Sequence, residues 1–261
     1  MINETIIEIK NINRTYIDDN DNMVEALQDI NLTINRGEFV SIIGSSGCGK
    51  TTLLRLIAGL DVPESGILTL DNQEITAPNP QRGYVIQQGG LFPWLTVEQN
   101  IATGLKARNV YRQNKEQVAH YIDLIGLNGF EKSYPHQISG GMAQRVAIAR
   151  ALINKPKALL LDEPMGALDS FTRADIQDKL LELRKENDAT MILVTHDVDE
   201  AIYLSDRIVI MTPRPGKISE IIPIKLSHPR DRGSSVFLSI RGEILEKLHL
   251  ASAQPQVEYT I

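Results

Sequence analysis

A glycine-rich loop directly follows an apolar segment early in the chain. Phe39–Ile43 reads as a buried strand, and the residues after it are Gly44, Ser45, Ser46, Gly47, Cys48, Gly49, Lys50, Thr51 and Thr52. Small residues let backbone N–H groups surround phosphate oxygens, and a following helix adds the positive end of its dipole. We expect Lys50 to reach the β- and γ-phosphates of a nucleotide and Thr51 to place its hydroxyl on Mg²⁺. The alternative is a glycine-rich turn with a surface lysine, but the strand before the loop and the helix after it favour phosphate binding.

A second segment joins an apolar run to two carboxylates. Ala158–Leu161 is predicted to be a buried strand, and Asp162, Glu163 and Pro164 follow it. Doubly wound folds bind ligands at the carboxyl ends of their strands. We therefore expect Asp162 to hold the hydrated Mg²⁺ and Glu163 to polarise an attacking water, which favours hydrolysis over nucleotide binding alone. Taken in isolation, the segment would equally suit a strand that ends in a solvated acidic turn.

A second pair of glycines lies in the stretch Ile138-Ser139-Gly140-Gly141-Met142-Ala143-Gln144-Arg145. The apolar spacing of Ala143–Ile153 predicts a helix, and the glycine pair opens it. A helix N-terminus with two accessible backbone donors would also bind phosphate. A simple phosphate-loop enzyme has no need of this second element.

Together these segments resemble the ATP-binding cassette proteins, and the second glycine pair resembles their signature loop. The resemblance covers nearly the whole chain, in the right order. It implies an α/β fold, with a P-loop NTPase (RecA-like) core, an antiparallel β subdomain and a helical signature subdomain. It also implies ATP and Mg²⁺ as cofactors. Two cassettes would pack head to tail, so that Ser139, Gly140 and Gly141 of one copy enclose the ATP on the phosphate loop of the other.

The resemblance assigns two residues that contact adenine or Mg²⁺. Tyr16 looks like the aromatic residue that stacks on adenine, although a core tyrosine is the common alternative. Gln87 looks like the glutamine that joins Mg²⁺ to the transport machinery. Its neighbour Gln88 leaves a shift by one residue open, and the spacing from the predicted strand Tyr84-Val85-Ile86 favours Gln87.

Two further motifs resemble parts of the cassette family. Gly166-Ala167-Leu168-Asp169 is similar to the loop that crosses to the partner subunit, which places Asp169 at the nucleotide. His196 is similar to the switch histidine that contacts the γ-phosphate, and a histidine that caps a helix is the alternative. Ile138, Met142 and Ile86 depart from the commonest family residues. None of these departures removes a charged catalytic group, so they bear on the subfamily.

Composition limits the class of protein. The chain has 261 residues, a formal net charge of −6 and one cysteine, Cys48, which is expected in the loop because a small residue is needed there. A single cysteine excludes an intrachain disulfide and favours a reducing compartment. No apolar run approaches the roughly 18 residues of a membrane span. We expect a chain without a signal peptide that lies in the cytosol or peripherally at the cytoplasmic face of the cell membrane.

Other apolar patterns predict the remaining elements. Ile6–Ile9, Leu32–Ile34, Ser65–Asp71, Met191–Val194 and Ile208–Met211 read as strands, and residues 94–153 read mostly as helix. The continuous apolar runs suit a parallel sheet that helices cover on both faces. We expect one nucleotide-binding domain over residues 1–261, with the helical subdomain at about 94–153 and a short tail at about 217–261 that holds no regulatory domain.

The stretch Gly90–Val97 contains Trp94, the only tryptophan of the chain. One interpretation is a buried aromatic residue, and the other is a groove for a helix of a partner. Cassettes of membrane transporters receive a coupling helix of the permease in this region. This stretch, together with Arg214–Ile218 and the tail, resembles nitrate/sulfonate/taurine-type importers. Expected partners are a transmembrane permease, a second identical or paralogous cassette and a solute-binding protein, with no nucleic acid. A cassette with a non-transport partner and a phosphotransferase are the alternatives.

Overall fold

The structure is a computed structural model and describes residues 4–87, 90–166, 168–187 and 189–252. The chain divides into two compact units. The first comprises Met1–Pro78 and Ile192–Ile261, and the second comprises Asn79–Met191.

Ten strands and seven α-helices are numbered in chain order. The strands are β1 (Thr5–Ile17), β2 (Met23–Asn35), β3 (Phe39–Ile43), β4 (Ser65–Leu70), β5 (Gln73–Glu74), β6 (Arg82–Val85), β7 (Ala158–Asp162), β8 (Thr190–Val194), β9 (Arg207–Met211) and β10 (Ile218–Pro223) within the described residues. The α-helices are α1 (Lys50–Ala58), α2 (Val97–Ala107), α3 (Lys115–Leu124), α4 (Gly140–Leu152), α5 (Ser170–Asn187), α6 (Val198–Leu204) and α7 (Ser235–Ser252). Single 3₁₀ turns lie at Tyr111–Gln113 and Pro135–Gln137.

The first unit contains an antiparallel sheet in the order β2-β1-β4-β5. Strands β1 and β2 are much longer than the short apolar runs that predicted them, so those predicted bounds are wrong. Register shifts interrupt the pairing on both sides of Ile12. Asn11 and Asp29 take positive φ angles of 51° and 48° at these irregularities. Such bulges break the alternation of apolar and polar residues, which is why the pattern revealed only the strand ends.

A second sheet of this unit is built around β3, which is buried along its whole length. Strand β9 runs parallel to β3 on one side, with Ser41 opposite Ile208, and β10 pairs antiparallel with β9. The last three residues of β8 belong to this unit, and Thr195 N–H donates to Ile42 O across a distance of 3.2 Å. The apolar runs at β3, β8 and β9 are confirmed as buried strands.

A buried arginine fixes the chain before α7. Arg230 is 6% exposed, and its Nη1 donates to Ser205 O at 2.7 Å and also to Ile202 O. Its Nε and Nη2 donate to Leu226 O. A guanidinium at the last carbonyls of α6 is favourable because the C-terminal end of a helix carries a partial negative charge.

The second unit pairs β6 and β7 in parallel, with Tyr84 opposite Leu160, and contains α2 to α5. Strand β6 ends at Val85, so the predicted strand is one residue too long at Ile86. Helix α2 begins at Val97, and Thr96 is its N-cap: the Thr96 hydroxyl accepts from Gln99 N–H, and the Gln99 side chain accepts from Thr96 N–H. This capping box defines the helix start. Within the described ranges, no helix is long and apolar enough to cross a membrane.

Candidate nucleotide-binding site

The glycine-rich loop lies between β3 and α1 in the first unit, as predicted. Gly47 and Gly49 take left-handed φ angles of 76° and 102°. A Cβ atom at Gly49 would lie 2.8 Å from Ala26 O and 2.6 Å from Leu27 Cδ2. A side chain at Gly49 would therefore be strained and would overlap β2, so both the turn and the close approach of the backbone require glycine.

Lys50 is the buried cation of this loop. The residue is 5% exposed, and its Nζ donates to Gly44 O and to Ser45 O, each at 2.9 Å. Among the described residues it forms no salt bridge. A buried ammonium group that is hydrogen-bonded only to neutral groups retains most of its desolvation cost. The site therefore fits an anion such as a phosphate group, which would supply the missing negative charge.

Cys48 fills the inner side of the loop. Its side chain is fully buried, and burial raises the pKa of the thiol, although the nearby Lys50 charge opposes that shift. The neutral thiol is poorly suited to act as a nucleophile. This supports the expectation that Cys48 is present for its small size. Thr51 is exposed in the first turn of α1, and Thr52 beside it is half-buried.

The turn between β9 and β10 packs against the same loop. Arg214 Nη2 donates to Gly47 O at 3.3 Å. Gly216 N–H donates to Ala26 O at 3.0 Å, and a Cβ atom at Gly216 would overlap with Cys48 O. The sequence analysis identified Arg214–Ile218 only by its resemblance to a subfamily. It did not predict that this turn supports the phosphate loop, because no periodic pattern indicates such a contact.

Tyr16 lies on β1, and its described contacts are with Arg14 and Asp61. Its hydroxyl donates to Asp61 Oδ2 at 2.5 Å, and the Arg14 guanidinium lies 4.6 Å from the ring centroid. Arg14 Nη2 also lies 2.8 Å from Asp61 Oδ1. Burial alone would raise the pKa of Asp61, but the hydrogen bond from Tyr16 and the Arg14 charge outweigh it, and the pKa is lowered. The ring is thereby held in place, while its stacking on adenine stays a prediction.

His196 is exposed and lies just before Asp197, the residue that precedes α6. The N-cap of that helix is Asp197, whose side chain accepts from Glu200 N–H at 3.0 Å. The alternative in which His196 caps the helix is therefore wrong. Its contact with a γ-phosphate is not tested and stays a prediction.

The two carboxylates of the second unit lie at the carboxyl end of β7, as predicted. Asp162 is 9% exposed, and its Oδ2 accepts from the Tyr84 hydroxyl at 2.9 Å. Glu163 has a φ angle of 43°, and its Oε2 accepts from Gln87 Nε2 at 3.1 Å. A left-handed backbone is uncommon for a residue with a long side chain and occurs preferentially at functional sites. The structure thus joins two residues, Gln87 and Glu163, that the sequence placed in separate motifs.

Gln88 and Ala167 lie outside the described residues. The choice between Gln87 and Gln88 therefore stays a prediction, and the described part of the Gly166–Asp169 motif begins again at Leu168.

The second glycine pair opens a helix, as the sequence predicted. Ser139 is the N-cap of α4, and its Oγ accepts from Met142 N–H at 3.2 Å. Gly140 and Gly141 form the first turn of α4. This places two adjacent backbone N–H groups at a helix N-terminus, the arrangement that binds phosphate in other proteins.

Asp169 lies before the first turn of α5, where it is exposed. Its Oδ1 accepts from Phe171 N–H and from Thr172 N–H, each at 3.1 Å. The side-chain hydrogen bond from Thr172 is the largest influence on this carboxyl and lowers the pKa of Asp169. Asp169 therefore caps the N-terminus of α5, a structural role that the sequence did not indicate.

The stretch Gly90–Val97 exposes its aromatic residues. Trp94 is 69% exposed and Phe92 is 38% exposed, and their ring centroids lie 5.6 Å apart. The interpretation of Trp94 as a buried aromatic residue is therefore wrong. Buried Asn100 holds the loop in shape, because its side chain bonds Phe92 N–H and three backbone carbonyls, those of Phe92, Leu95 and Thr96.

Comparisons with known proteins show which family this chain resembles in sequence and fold. The family model described as ABC transporter matches residues 27–166. The aliphatic sulfonates import ATP-binding protein SsuB of Bacillus cereus is 52% identical over 224 residues, which are 86% of this chain and 88% of that protein. The bicarbonate transport ATP-binding protein CmpC of Synechococcus elongatus is 47% identical over 247 residues, 92% of this chain and 37% of that protein.

A solved structure of a dimeric ATP-binding cassette in a post-hydrolysis state, bound to ADP and Pi, has a TM-score of 0.74. It is 34% identical, and the match covers 85% of this chain and 100% of that one. The predicted α/β fold with a P-loop NTPase core is confirmed by this likeness. On the family match and on the identity to these relatives, the chain belongs to the ABC transporter family.

Proposed function

We propose that this chain is the ATP-hydrolysing subunit of an importer that takes up a small solute of the nitrate, sulfonate or taurine type. One observation carries the coupling between hydrolysis and transport. The amide of Gln87 donates to the carboxylate of Glu163, and the chain that follows Gln87 leads to exposed Phe92 and Trp94. A partner bound at the aromatic residues is therefore linked to the group that would activate water, along the chain to Gln87 and from there through one hydrogen bond.

The roles that the family resemblance implies make up the proposed reaction. The loop Gly44–Thr52 binds the phosphates, Lys50 neutralises the β- and γ-phosphates, and His196 contacts the γ-phosphate. Glu163 accepts a proton from the water whose oxygen attacks the γ-phosphorus. The bond between that phosphorus and the β–γ bridging oxygen breaks, and ADP leaves with the electron pair.

Three residues are proposed to hold Mg²⁺, namely Thr51, Gln87 and Asp162. All three offer oxygen atoms, the ligands that Mg²⁺ prefers, and a single carboxylate suits an ion that also binds phosphates and waters. When bound, Mg²⁺ would supply positive charge to the phosphate oxygens in the transition state. Among the described residues no cluster of three or more His, Cys, Asp or Glu forms a metal site without a nucleotide.

The assembly is also part of the proposal. A second copy or a paralogous cassette would present its Ser139, Gly140 and Gly141 to the ATP bound at the phosphate loop. Tyr16 would stack on the adenine, and Asp169 would lie at the nucleotide in the loop that crosses to the partner. A transmembrane permease would bind the exposed segment around Phe92 and Trp94, and a solute-binding protein would deliver the solute. The chain would lie peripherally at the cytoplasmic face of the membrane as one nucleotide-binding domain.

A pull-down tests the transporter assignment. Tagged Glu163→Gln protein, isolated from detergent-solubilised membranes of its host, is expected to bring a polytopic membrane protein with it. Adding Trp94→Ala should reduce that recovery about tenfold or more, because exposed aromatic anchors dominate interface energies. Phe130→Ala removes another exposed aromatic residue, 41% exposed, and is the control. Recovery only with ribosomes or nucleic acid would support the non-transport cassette instead.

The hydrogen bond between Tyr84 and Asp162 makes a second testable prediction. Tyr84→Phe removes only the hydroxyl that orients the Asp162 carboxylate, so the Mg²⁺ concentration for half-maximal binding of a non-hydrolysable ATP analogue should rise about tenfold. Tyr121→Phe is the control, because it removes another hydroxyl of the same unit, bonded to Asn187 Oδ1 at 2.6 Å. Electron paramagnetic resonance with Mn²⁺ gives an activity-free readout. An unchanged metal requirement in Tyr84→Phe would contradict the orienting role.

A further inference from the structure

The first turns of α4 and α5 pack closely within the second unit. A Cβ atom at Gly141 would overlap with Cγ2 of Thr172, and a Cβ atom at Gly140 would lie 3.9 Å from Leu168 Cδ2. The space beside Gly141 is thus filled by Thr172, whereas a Cβ atom at Gly140 would make only an ordinary van der Waals contact with Leu168. Gly141 is required by this contact, whether or not a phosphate also approaches its backbone.

The Thr172 methyl group is held in position from the Asp169 side. Thr172 N–H donates to Asp169 Oδ1 at 3.1 Å, and the Thr172 side chain is also hydrogen-bonded to the Asp169 carboxylate. A β-branched side chain has few χ1 rotamers. Rotating Thr172 to make room at Gly141 would therefore break its hydrogen bond to Asp169.

We propose that Thr172 is a positioning residue that links the Asp169 loop to the glycine pair, so that the two loops move together. Its hydroxyl fixes Asp169 and its methyl group fixes Gly141. The inference rests on the proposed function, in which Asp169 and the glycine pair both face a second cassette. The contact keeps both loops in one arrangement before that cassette binds, which lowers the cost of ordering them on closure.

A competing explanation assigns Gly141 only to phosphate approach. Both explanations predict that Gly141→Ala impairs ATP-dependent dimerisation. They differ on whether a second substitution at Thr172 restores dimerisation. Thr172→Ser keeps the hydroxyl for Asp169 and removes the methyl group that a Cβ atom at position 141 would strike. If the Thr172 methyl group is what excludes a Cβ atom at position 141, the double substitution Gly141→Ala with Thr172→Ser will restore dimerisation. If a phosphate close to the Gly141 backbone is what excludes it, the double substitution will stay impaired.

The experiment measures ATP-dependent dimerisation by light scattering in the Glu163→Gln chain. Gly141→Ala should raise the ATP concentration for half-maximal dimerisation about tenfold or more. Thr172→Ser should raise it about twofold, and the double substitution should lie within about threefold of Thr172→Ser alone. Thr172→Val keeps the branched shape without the hydroxyl and should raise it about fivefold, because Asp169 is released.

Thermal unfolding of the same variants without nucleotide shows whether a loss of dimerisation comes from overpacking within the chain. Overpacking at Gly141 should lower the midpoint by about 4 °C, and Thr172→Ser should restore most of that loss. A double substitution as impaired in dimerisation as Gly141→Ala alone overturns the positioning role. If the parent Glu163→Gln chain shows no ATP-dependent dimer, the proposal that two copies of this chain close on ATP fails. The unfolding data then decide separately whether Thr172 sets the space beside Gly141, and a Gly141→Ala midpoint that Thr172→Ser does not rescue would overturn the positioning role.

Discussion

Replacing Glu163 with glutamine is expected to slow ATP turnover about 1,000-fold while ATP still binds. The loss of a positioned general base typically costs factors of about 10² to 10⁴. Glutamine has nearly the same shape and can still accept from the Gln87 amide, which donates to Glu163 Oε2 at 3.1 Å. The substitution therefore removes the proton acceptor and retains the local hydrogen bond. Slow turnover should accumulate the ATP-bound state and, in the proposed assembly, the closed dimer.

Single-turnover phosphate release is the measurement that isolates this step. Glu182→Gln is the control, because Glu182 is an exposed carboxylate of α5 that pairs with Lys179 at 2.7 Å and should matter little. Turnover of Glu163→Gln at the rate of the unmodified chain would show that another group accepts the proton. Glu163→Ala is then a second test of whether Glu163 accepts the proton, because it removes both the carboxylate and its hydrogen bond with Gln87.

Replacing Lys50 with methionine is expected to weaken ATP binding about 100-fold and to leave the nucleotide-free protein as stable as before. Hydrogen bonds to charged groups contribute about 1.5–3 kcal/mol each, so two lost phosphate contacts correspond to at least that factor. Among the described residues, the partners of the buried Lys50 charge are two carbonyl oxygens and the Cys48 thiol. Methionine fills similar volume and removes the desolvation cost of the ammonium group, which offsets the lost hydrogen bonds.

Two measurements check this pair of effects. Equilibrium binding of a fluorescent ATP analogue gives the affinity, and thermal unfolding without nucleotide gives the stability. Lys132→Met, at an exposed position, is the control for loss of one positive charge. Unchanged affinity would remove Lys50 from the phosphate site. A large fall in nucleotide-free stability would mean that Lys50 serves mainly to hold the loop together.

Local sequence was sufficient where neighbouring residues determine the conformation. The phosphate loop combines a buried strand, small residues and a helix start within one short segment, and α1 begins at Lys50 as that order requires. The same holds for β7, which ends in Asp162, and for α4, which Ser139 caps. Hydrophobic period, turn residues and helix caps all act over a few residues, so these elements and most of the candidate site could be predicted.

Local sequence patterns were not sufficient to predict strand bounds at bulges or the exposure of a side chain. Strands β1 and β2 extend far beyond their apolar runs, because register shifts around Ile12 interrupt the alternation that pattern reading uses. The sequence left both a buried ring and a partner-binding groove open for Trp94, and the loop that Asn100 holds leaves the ring 69% exposed. Exposure depends on what packs over a residue, and the residue type does not contain that information.

The sequence by itself determined the family, the phosphate loop, the paired carboxylates at the end of β7 and the glycine pair at the start of α4, because each depends on residue types at fixed short spacings. Only the tertiary structure decided that Gln87 contacts Glu163, that Tyr84 orients Asp162 and that Thr172 fills the space beside Gly141. These contacts join residues that are far apart in the sequence. Strand pairing and helix packing bring such residues together, and no local period records which side chains will meet.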